Sequence, residues 1–122
     1  MLTRLSWLIL LAIHAFPAAV LVRPGLVSTF YSVEGGSTAA LLLQHRGSLF
    51  LVIAMICLWA FFDANVRRLA TVAVALSMLS FLLIHWMAGR PPELSMIAIA
   101  DLVGLPFLAL VAWAAFRSSP SA

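Results

Sequence analysis

The chain has 122 residues, of which 65% are hydrophobic and only 9% are charged, whereas about a quarter of the residues in a soluble domain are charged. A soluble domain of this length buries only part of its apolar surface, so the composition excludes an ordinary soluble fold. The net charge of +3 comes from scattered arginines, which excludes the basic stripe of a nucleic-acid-binding protein. The composition indicates an integral membrane protein whose first partner is the lipid bilayer.

Four apolar stretches are each near the length of roughly 20 residues that a helix needs to span the hydrocarbon. They occupy residues 5–22, 38–62, 68–88 and 94–116. Only helices and closed barrels satisfy their backbone groups in lipid, and runs this continuous differ from the alternating strands of a barrel. We therefore predict an all-α integral membrane four-helix bundle, formed by a single transmembrane domain over residues 1–122.

The segments between the stretches carry residues that end and begin helices. Residues 63–65 and 89–92 form short connections, which favour antiparallel neighbours. Ser37 is placed to cap the second span. Residues 23–37 are predicted to be an outer loop whose aromatic residues, Tyr31 among them, rest at the membrane interface.

The arginines near the ends of the spans predict the orientation of the bundle. One end carries Arg4, Arg67, Arg68 and Arg117, and the other end carries Arg23 and Arg90. Cytoplasmic ends carry the excess of basic residues, so both termini are predicted to lie in the cytoplasm. The tryptophans lie toward span ends and are predicted to be interface anchors, namely Trp7, Trp59, Trp86 and Trp113.

Five polar side chains interrupt the apolar stretches: His14, His45, Arg46, His85 and Asp101. At ~1.5 Å per residue, His14 and Arg46 lie ~12 Å, Asp101 ~10 Å and His85 ~5 Å below the outer surface. Four spans thus deliver polar groups to a similar outer layer. His45 is adjacent to Arg46 but points ~100° away around the helix, toward a different neighbour.

Arg46 and Asp101 carry opposite charges at matching depth on the second and fourth spans. A lone charge in hydrocarbon costs about 2.5–3.5 kcal/mol even on insertion scales, and pairing relieves much of that cost. We predict that the two form an ion pair facing the bundle interior, with either a structural role or a role in ligand binding or transport. Gly104, one turn after Asp101, is predicted to let a neighbouring helix or a ligand come close.

The sequence lacks the motifs on which several kinds of enzyme chemistry depend. There is no glycine-rich phosphate loop and no H-E-x-x-H pattern, so we predict no catalytic residue and no metal site. Cys57 stands alone and is interpreted as a core residue. No resident cofactor is predicted; haem held by His14 and His85, or a bound quinone, is kept as an alternative.

Three short motifs resemble a group of small bacterial membrane proteins. They are L-L-L-Q-H-R-G-S-L-F at residues 41–50, Ser80-Phe81, and I-A-D-L-V at residues 99–103. With its H-R-x-x-L-F and late A-D-L motifs, the chain is similar to small four-helix proteins of the DoxX-like and domain-of-unknown-function-4345 kinds. That resemblance implies four helices in a bacterial inner membrane and implies no activity. It also singles out His45, Arg46 and Asp101.

Three functions are consistent with these residues. The first is a non-catalytic membrane protein or accessory subunit, which packs on other membrane subunits or on a second copy through small residues such as Ala39, Ala40, Ala98, Ala100 and Gly104. The second is a binder or transporter of a small lipophilic or anionic ligand, held near the outer leaflet by His14, Arg46, His85 and Asp101. The third is an intramembrane enzyme, for which no nucleophile is recognisable.

Overall fold

The structure, a computed structural model, describes residues 1–117, and residues 118–122 of the predicted domain lie outside the described residues. The described helices are α1 (Leu2–Ala18), α2 (Leu26–Tyr31), α3 (Thr38–Phe62), α4 (Arg67–Met87) and α5 (Ser95–Arg117). Single 3₁₀ turns adjoin three of them, at Ala19–Leu21, Ala64–Val66 and Pro92–Leu94.

Four of these helices, with their adjoining 3₁₀ turns, are long and apolar enough to cross a membrane. The spans are Leu2–Leu21, Thr38–Phe62, Ala64–Met87 and Pro92–Arg117. The predicted all-α membrane four-helix bundle is therefore confirmed.

Successive spans run in opposite directions, so the bundle has two distinct ends. The termini end carries Met1, the α3–α4 turn and Arg117; the loop end carries the α1–α3 connection and the α4–α5 turn. The most extensive contacts join α1 to α3, followed by α1 to α5 and α4 to α5. Around the bundle the order is α3, α1, α5, α4, and the α3–α4 seam is the least closely packed of the four.

A stripe of α1 residues at spacings of three and four forms the middle of the core. Trp7, Leu10 and His14 on this stripe are almost fully buried. The prediction that Trp7 is an interface anchor is wrong, because the helix begins at Leu2 and places the indole against α3, α4 and α5. The other three tryptophans remain between 62% and 67% exposed.

The α1–α3 connection contains a short helix where the sequence indicated only a loop. Helix α2 begins at Leu26 and ends at Tyr31, and the next residue, Ser32, has a left-handed φ of 54°. Its Phe30 and Tyr31 are 8% and 5% exposed, because they pack into a second core cluster with residues of α3, α4 and α5. The expectation that these rings rest at the membrane interface is therefore wrong.

Hydrogen bonds fix the α3–α4 turn at the termini end. Asp63 Oδ1 accepts from the backbone N–H of Asn65 at 2.8 Å and from its side-chain Nδ2 at 3.0 Å. Arg67 Nε donates to the Ala60 carbonyl at 2.9 Å, and Arg68 Nε donates to the Ala115 carbonyl at 3.0 Å. These arginine side chains tie α4 to the last turns of α3 and α5.

Two glycines lie where helices approach closely. A Cβ on Gly47 of α3 would lie 2.6 Å from a methyl group of Val20, and one on Gly104 of α5 would lie 2.6 Å from the terminal methyl of Met78 and 2.8 Å from that of Ile13. Gly104 thus lets neighbouring helices come close, as predicted. Ala40 and Ala98, which we expected to face partner subunits, are instead buried within this chain.

We expect Gly47→Ala to destabilise the bundle by about 1–3 kcal/mol, whereas Gly104→Ala has a smaller effect. The reason is that Val20 is β-branched and has one favoured rotamer in a helix, whereas Met78 and Ile13 meet the new methyl group with flexible ends. Thermal unfolding in mild detergent measures which of the two variants loses more stability. Gly35→Ala is the control, since nothing lies within 4 Å of its added Cβ. Equal losses at Gly47 and Gly104 would contradict this reading.

Candidate functional site

A cavity of about 680 Å³ lies in the loose seam between α3 and α4, toward the loop end. Most of its wall is apolar, and its polar lining consists of Arg46, Ser77, Ser80 and His85. We call it the α3–α4 cavity. Its rim includes Leu49, Leu76 and Ile84, which are 56%, 67% and 64% exposed. In a membrane these side chains face lipid, so the cavity opens sideways into the bilayer.

Arg46 lies in the wall of this cavity between two aromatic rings. Its guanidinium carbon is 5.0 Å from the centroid of Phe50 and 5.1 Å from the centroid of Phe81. Each desolvated contact of this kind is worth up to about 2 kcal/mol. Within residues 1–117, no hydrogen-bond acceptor and no carboxylate within 4.0 Å pairs with the Arg46 guanidinium.

The predicted Arg46–Asp101 ion pair is therefore not formed. Helices α3 and α5 stand at opposite corners of the bundle, and the Arg46 guanidinium is held over the rings of Phe50 and Phe81 on the α3–α4 side instead of reaching across the interior. Asp101 is 7% exposed. The Arg46 charge still acts electrostatically on its carboxyl group, but at more than salt-bridge distance.

His14 is 1% exposed and uses both ring nitrogens within the chain. Nδ1 donates to the Leu10 carbonyl at 2.9 Å, since a carbonyl can only accept. In the neutral ring, Nε2 then accepts from the Ser77 hydroxyl at 3.1 Å. This joins α1 to α4 and leaves no ring nitrogen of His14 for haem iron.

The Ser77–His14 contact has the connectivity of a nucleophile and its base, but the surroundings favour a structural role. Catalysis by acyl transfer needs preorganised donors for the oxyanion, usually free backbone N–H groups. Ser77 lies in the middle of α4, whose backbone N–H groups are used within the helix. We interpret the pair as a hydrogen bond between helices.

His85 and His45 have different surroundings. His85 is 8% exposed, stacks on Phe81 with centroids 5.9 Å apart, and donates from Nε2 to the Pro91 carbonyl at 3.2 Å. It lines the same cavity as Arg46. His45 is exposed on another face of α3, beside Leu41 and Leu42, and does not join the cavity.

Tyr31 is a buried polar residue that packs in the same core cluster as the cavity residue Phe81, a position that the sequence did not reveal. Its Oη is buried and has no hydrogen-bond partner among the described residues. Burial raises the pKa of the Tyr31 phenol above its ordinary value, and the positive charge of Arg46 partly opposes that rise. The available signal was the spacing of Val27, Phe30 and Tyr31 after Pro24, which matches one face of a helix.

Searches against protein-family models, curated proteins and solved structures find no match to this chain. The resemblance to small bacterial four-helix proteins therefore stays a prediction. The class that the fold defines is a multi-pass α-helical membrane protein. Its site is an apolar cavity with a few convergent polar side chains, which is the usual composition of a small-molecule binding site.

We expect Ser77→Ala to lower the stability of the bundle by about 0.6–1.7 kcal/mol, the average and the maximum measured for hydrogen bonds between membrane helices. The substitution leaves buried His14 Nε2 without its donor. Ser80→Ala is the matched control, because the Ser80 hydroxyl is exposed and donates to Leu76 of its own helix. Unfolding in detergent measures both variants, and equal stability of the two would contradict a structural role for Ser77.

Proposed function

We propose that this chain is a non-enzymatic membrane protein that binds a lipophilic small molecule in the α3–α4 cavity. The observation that carries the proposal is the position of Arg46, which lines the cavity and has no acceptor among the described residues. A guanidinium has five N–H donors, and leaving them unpaired within a membrane span is costly. A ligand head group that accepts hydrogen bonds would satisfy them.

The shape and setting of the cavity support a ligand that comes from the bilayer. Its volume of about 680 Å³ falls within the ~300–1,000 Å³ typical of small-molecule sites. The wall is mostly apolar, and the rim is made of lipid-facing leucine and isoleucine side chains. An apolar tail would occupy the seam while the head group meets Arg46, without passing through water.

The accessory-subunit hypothesis has less support from the geometry. Three of the small residues that would face a partner, Ala40, Ala98 and Gly104, are buried inside this bundle. Ala39 is exposed and Ala100 is partly so. A binding protein that also associates with other subunits, or with itself, is compatible with both hypotheses.

We further propose a bacterial inner membrane, with both termini in the cytoplasm and the cavity in the outer half of the bilayer. The arginine excess at the termini end supports this orientation. Arg67 and Arg68 there donate to helix carbonyls, and Arg117 lies over Trp113 at 4.6 Å. The inner-membrane location itself is supported by the resemblance in the sequence.

The binding proposal predicts a small molecule that co-purifies with the protein and is lost when the cavity is filled. Ala73→Phe places a ring in the cavity wall, and Arg46→Met removes the guanidinium N–H groups that would bind the head group of the ligand. Ala109→Phe is the matched control, because Ala109 is exposed on α5 away from the cavity. Native mass spectrometry of protein from its own membrane should show an added mass in wild type and in Ala109→Phe only.

A different spectrum would reject the proposal. Wild-type protein that carries other chains and no small molecule would favour the accessory subunit. An added mass that persists in both Ala73→Phe and Arg46→Met would mean that the molecule binds elsewhere.

The proposed orientation predicts which introduced cysteines a membrane-impermeant maleimide can reach in intact cells. Gly35→Cys at the loop end should be labelled, and Ala64→Cys at the α3–α4 turn should be labelled only after lysis. Both positions are exposed in the structure. Cys57 is the only native cysteine and is fully buried, so background labelling should be low. The opposite labelling pattern would mean that the termini end faces outward and the loop end faces the cytoplasm.

A further inference from the structure

Arg46 gives the α3–α4 cavity a positive charge that no acidic group in its wall balances. Among residues 1–117, no aspartate or glutamate lines the cavity, and no carboxylate lies within 4.0 Å of the Arg46 guanidinium. A guanidinium stays protonated in proteins. Arg46 is half-buried within the α3 span, where a charge without a counter-ion is costly. The cavity is therefore complementary to a ligand that brings a negative charge.

The other polar residues of the cavity wall already use their side chains in hydrogen bonds within the chain. The Ser77 hydroxyl donates to a ring nitrogen on α1, and the Ser80 hydroxyl donates to a carbonyl of its own helix. His85 Nε2 donates to the carbonyl of Pro91. Of the four polar lining residues, Arg46 alone makes no side-chain hydrogen bond within the described part of the chain. The head group of a ligand would therefore be held by Arg46.

The cavity is polarised along its length, with the charge toward the loop end and an apolar wall toward the bilayer centre. On α4, the lining extends from Phe81, over which Arg46 lies, to Ala73, which is ~12 Å closer to the termini end. On α3, it extends from Arg46 to Ile53 over ~10 Å. Apart from two serines, the lining residues between these levels are apolar. A ligand with its head group at Arg46 would thus direct its tail toward the middle of the bilayer, as a lipid does in its leaflet.

A carboxylate matches both the charge and the shape of the Arg46 guanidinium. It carries one negative charge, and its two oxygens accept a pair of parallel N–H bonds from a guanidinium. A phosphate monoester carries about −1.5 to −2 charges near neutral pH, so a single arginine would leave part of that charge unbalanced in the hydrocarbon. A hydroxyl or ester group can accept hydrogen bonds but leaves the charge of Arg46 without a counter-ion.

We infer that the ligand is a long-chain carboxylate, the ionised form of a fatty acid. Its carboxylate pairs with Arg46, and its alkyl chain lies along the apolar wall between α3 and α4. This inference rests on the binding function proposed above and specifies the chemical class of the ligand. Wild-type protein from its own membrane should accordingly carry the mass of a long-chain carboxylic acid.

The test compares three probes with the same sixteen-carbon chain: hexadecanoate, 1-hexadecanol and hexadecyl phosphate. Delipidated protein in a mild uncharged detergent at neutral pH receives two probes at a time, at equal mole fractions in the micelles. Native mass spectrometry then gives the ratio of their occupancies. We expect wild type to favour hexadecanoate over 1-hexadecanol by roughly tenfold, the difference between a charge-assisted and a neutral hydrogen bond. Hexadecanoate should also be favoured over hexadecyl phosphate.

Three variants assign the preference to Arg46. Arg46→Met should lower the ratio of hexadecanoate to 1-hexadecanol by roughly tenfold, while 1-hexadecanol still binds because the wall for the chain is unchanged. Arg46→Lys keeps the charge but loses the paired N–H geometry, so part of the preference should remain. Arg23→Met is the matched control, because Arg23 is an exposed arginine at the same end and does not line the cavity. The partition of each probe into micelles is the same for every variant, so it cancels from these comparisons.

Each alternative result has a distinct meaning. Wild type that binds 1-hexadecanol or hexadecyl phosphate at least as well as hexadecanoate would overturn the carboxylate inference, as would a ratio that is unchanged in Arg46→Met. If Ala73→Phe still prevents the binding of the probes, the binding function survives that result. Probes that bind Ala73→Phe as well as wild type, or that bind neither protein, would overturn the binding function itself.

Discussion

The Arg46 guanidinium lies between the rings of Phe50 on α3 and Phe81 on α4, and the arrangement of the loop end depends on this contact. A charge in the hydrocarbon costs about 2.5–3.5 kcal/mol on insertion scales. Two cation–π contacts of up to about 2 kcal/mol each offset much of that cost without a counter-ion. A side chain held by ring faces keeps its N–H edges available, and this side chain lines the α3–α4 cavity.

The row of rings around Arg46 also joins three helices. His14 of α1 lies 6.1 Å from Phe50, and His85 stacks on Phe81 at the other side. His14 uses both ring nitrogens, and His85 uses Nε2, in hydrogen bonds to main-chain carbonyls and a serine hydroxyl. The histidines therefore support the aromatic row, in which Arg46 makes no hydrogen bond within the described residues.

The sequence predicted the spans well and the site only in part. Hydropathy identifies the four spans because each must be apolar over about 20 residues, and counting residues identifies the layer that holds His14, Arg46, His85 and Asp101. Depth does not reveal which helices are neighbours, so Arg46 and Asp101 were matched across the diagonal of the bundle. Trp7 lies near a span end and Tyr31 lies in the predicted outer loop, and both positions suggested the interface. The helical spacing of each residue with its neighbours places it on a buried face instead.

The hydrogen-bonded α3–α4 turn, with its Asp63–Asn65 contacts, has a mechanical consequence at the opposite end of the same two helices. Arg46 lies about 25 Å along α3 from Asp63, at ~1.5 Å per residue. Helices α3 and α4 are joined at the turn, so a change of about 10° in the angle between them would move them apart by roughly 4 Å at the level of Arg46, with the same rise per residue. The angle at the shortest connection in the bundle therefore sets the distance between α3 and α4 at the loop end, where the seam between them is most loosely packed.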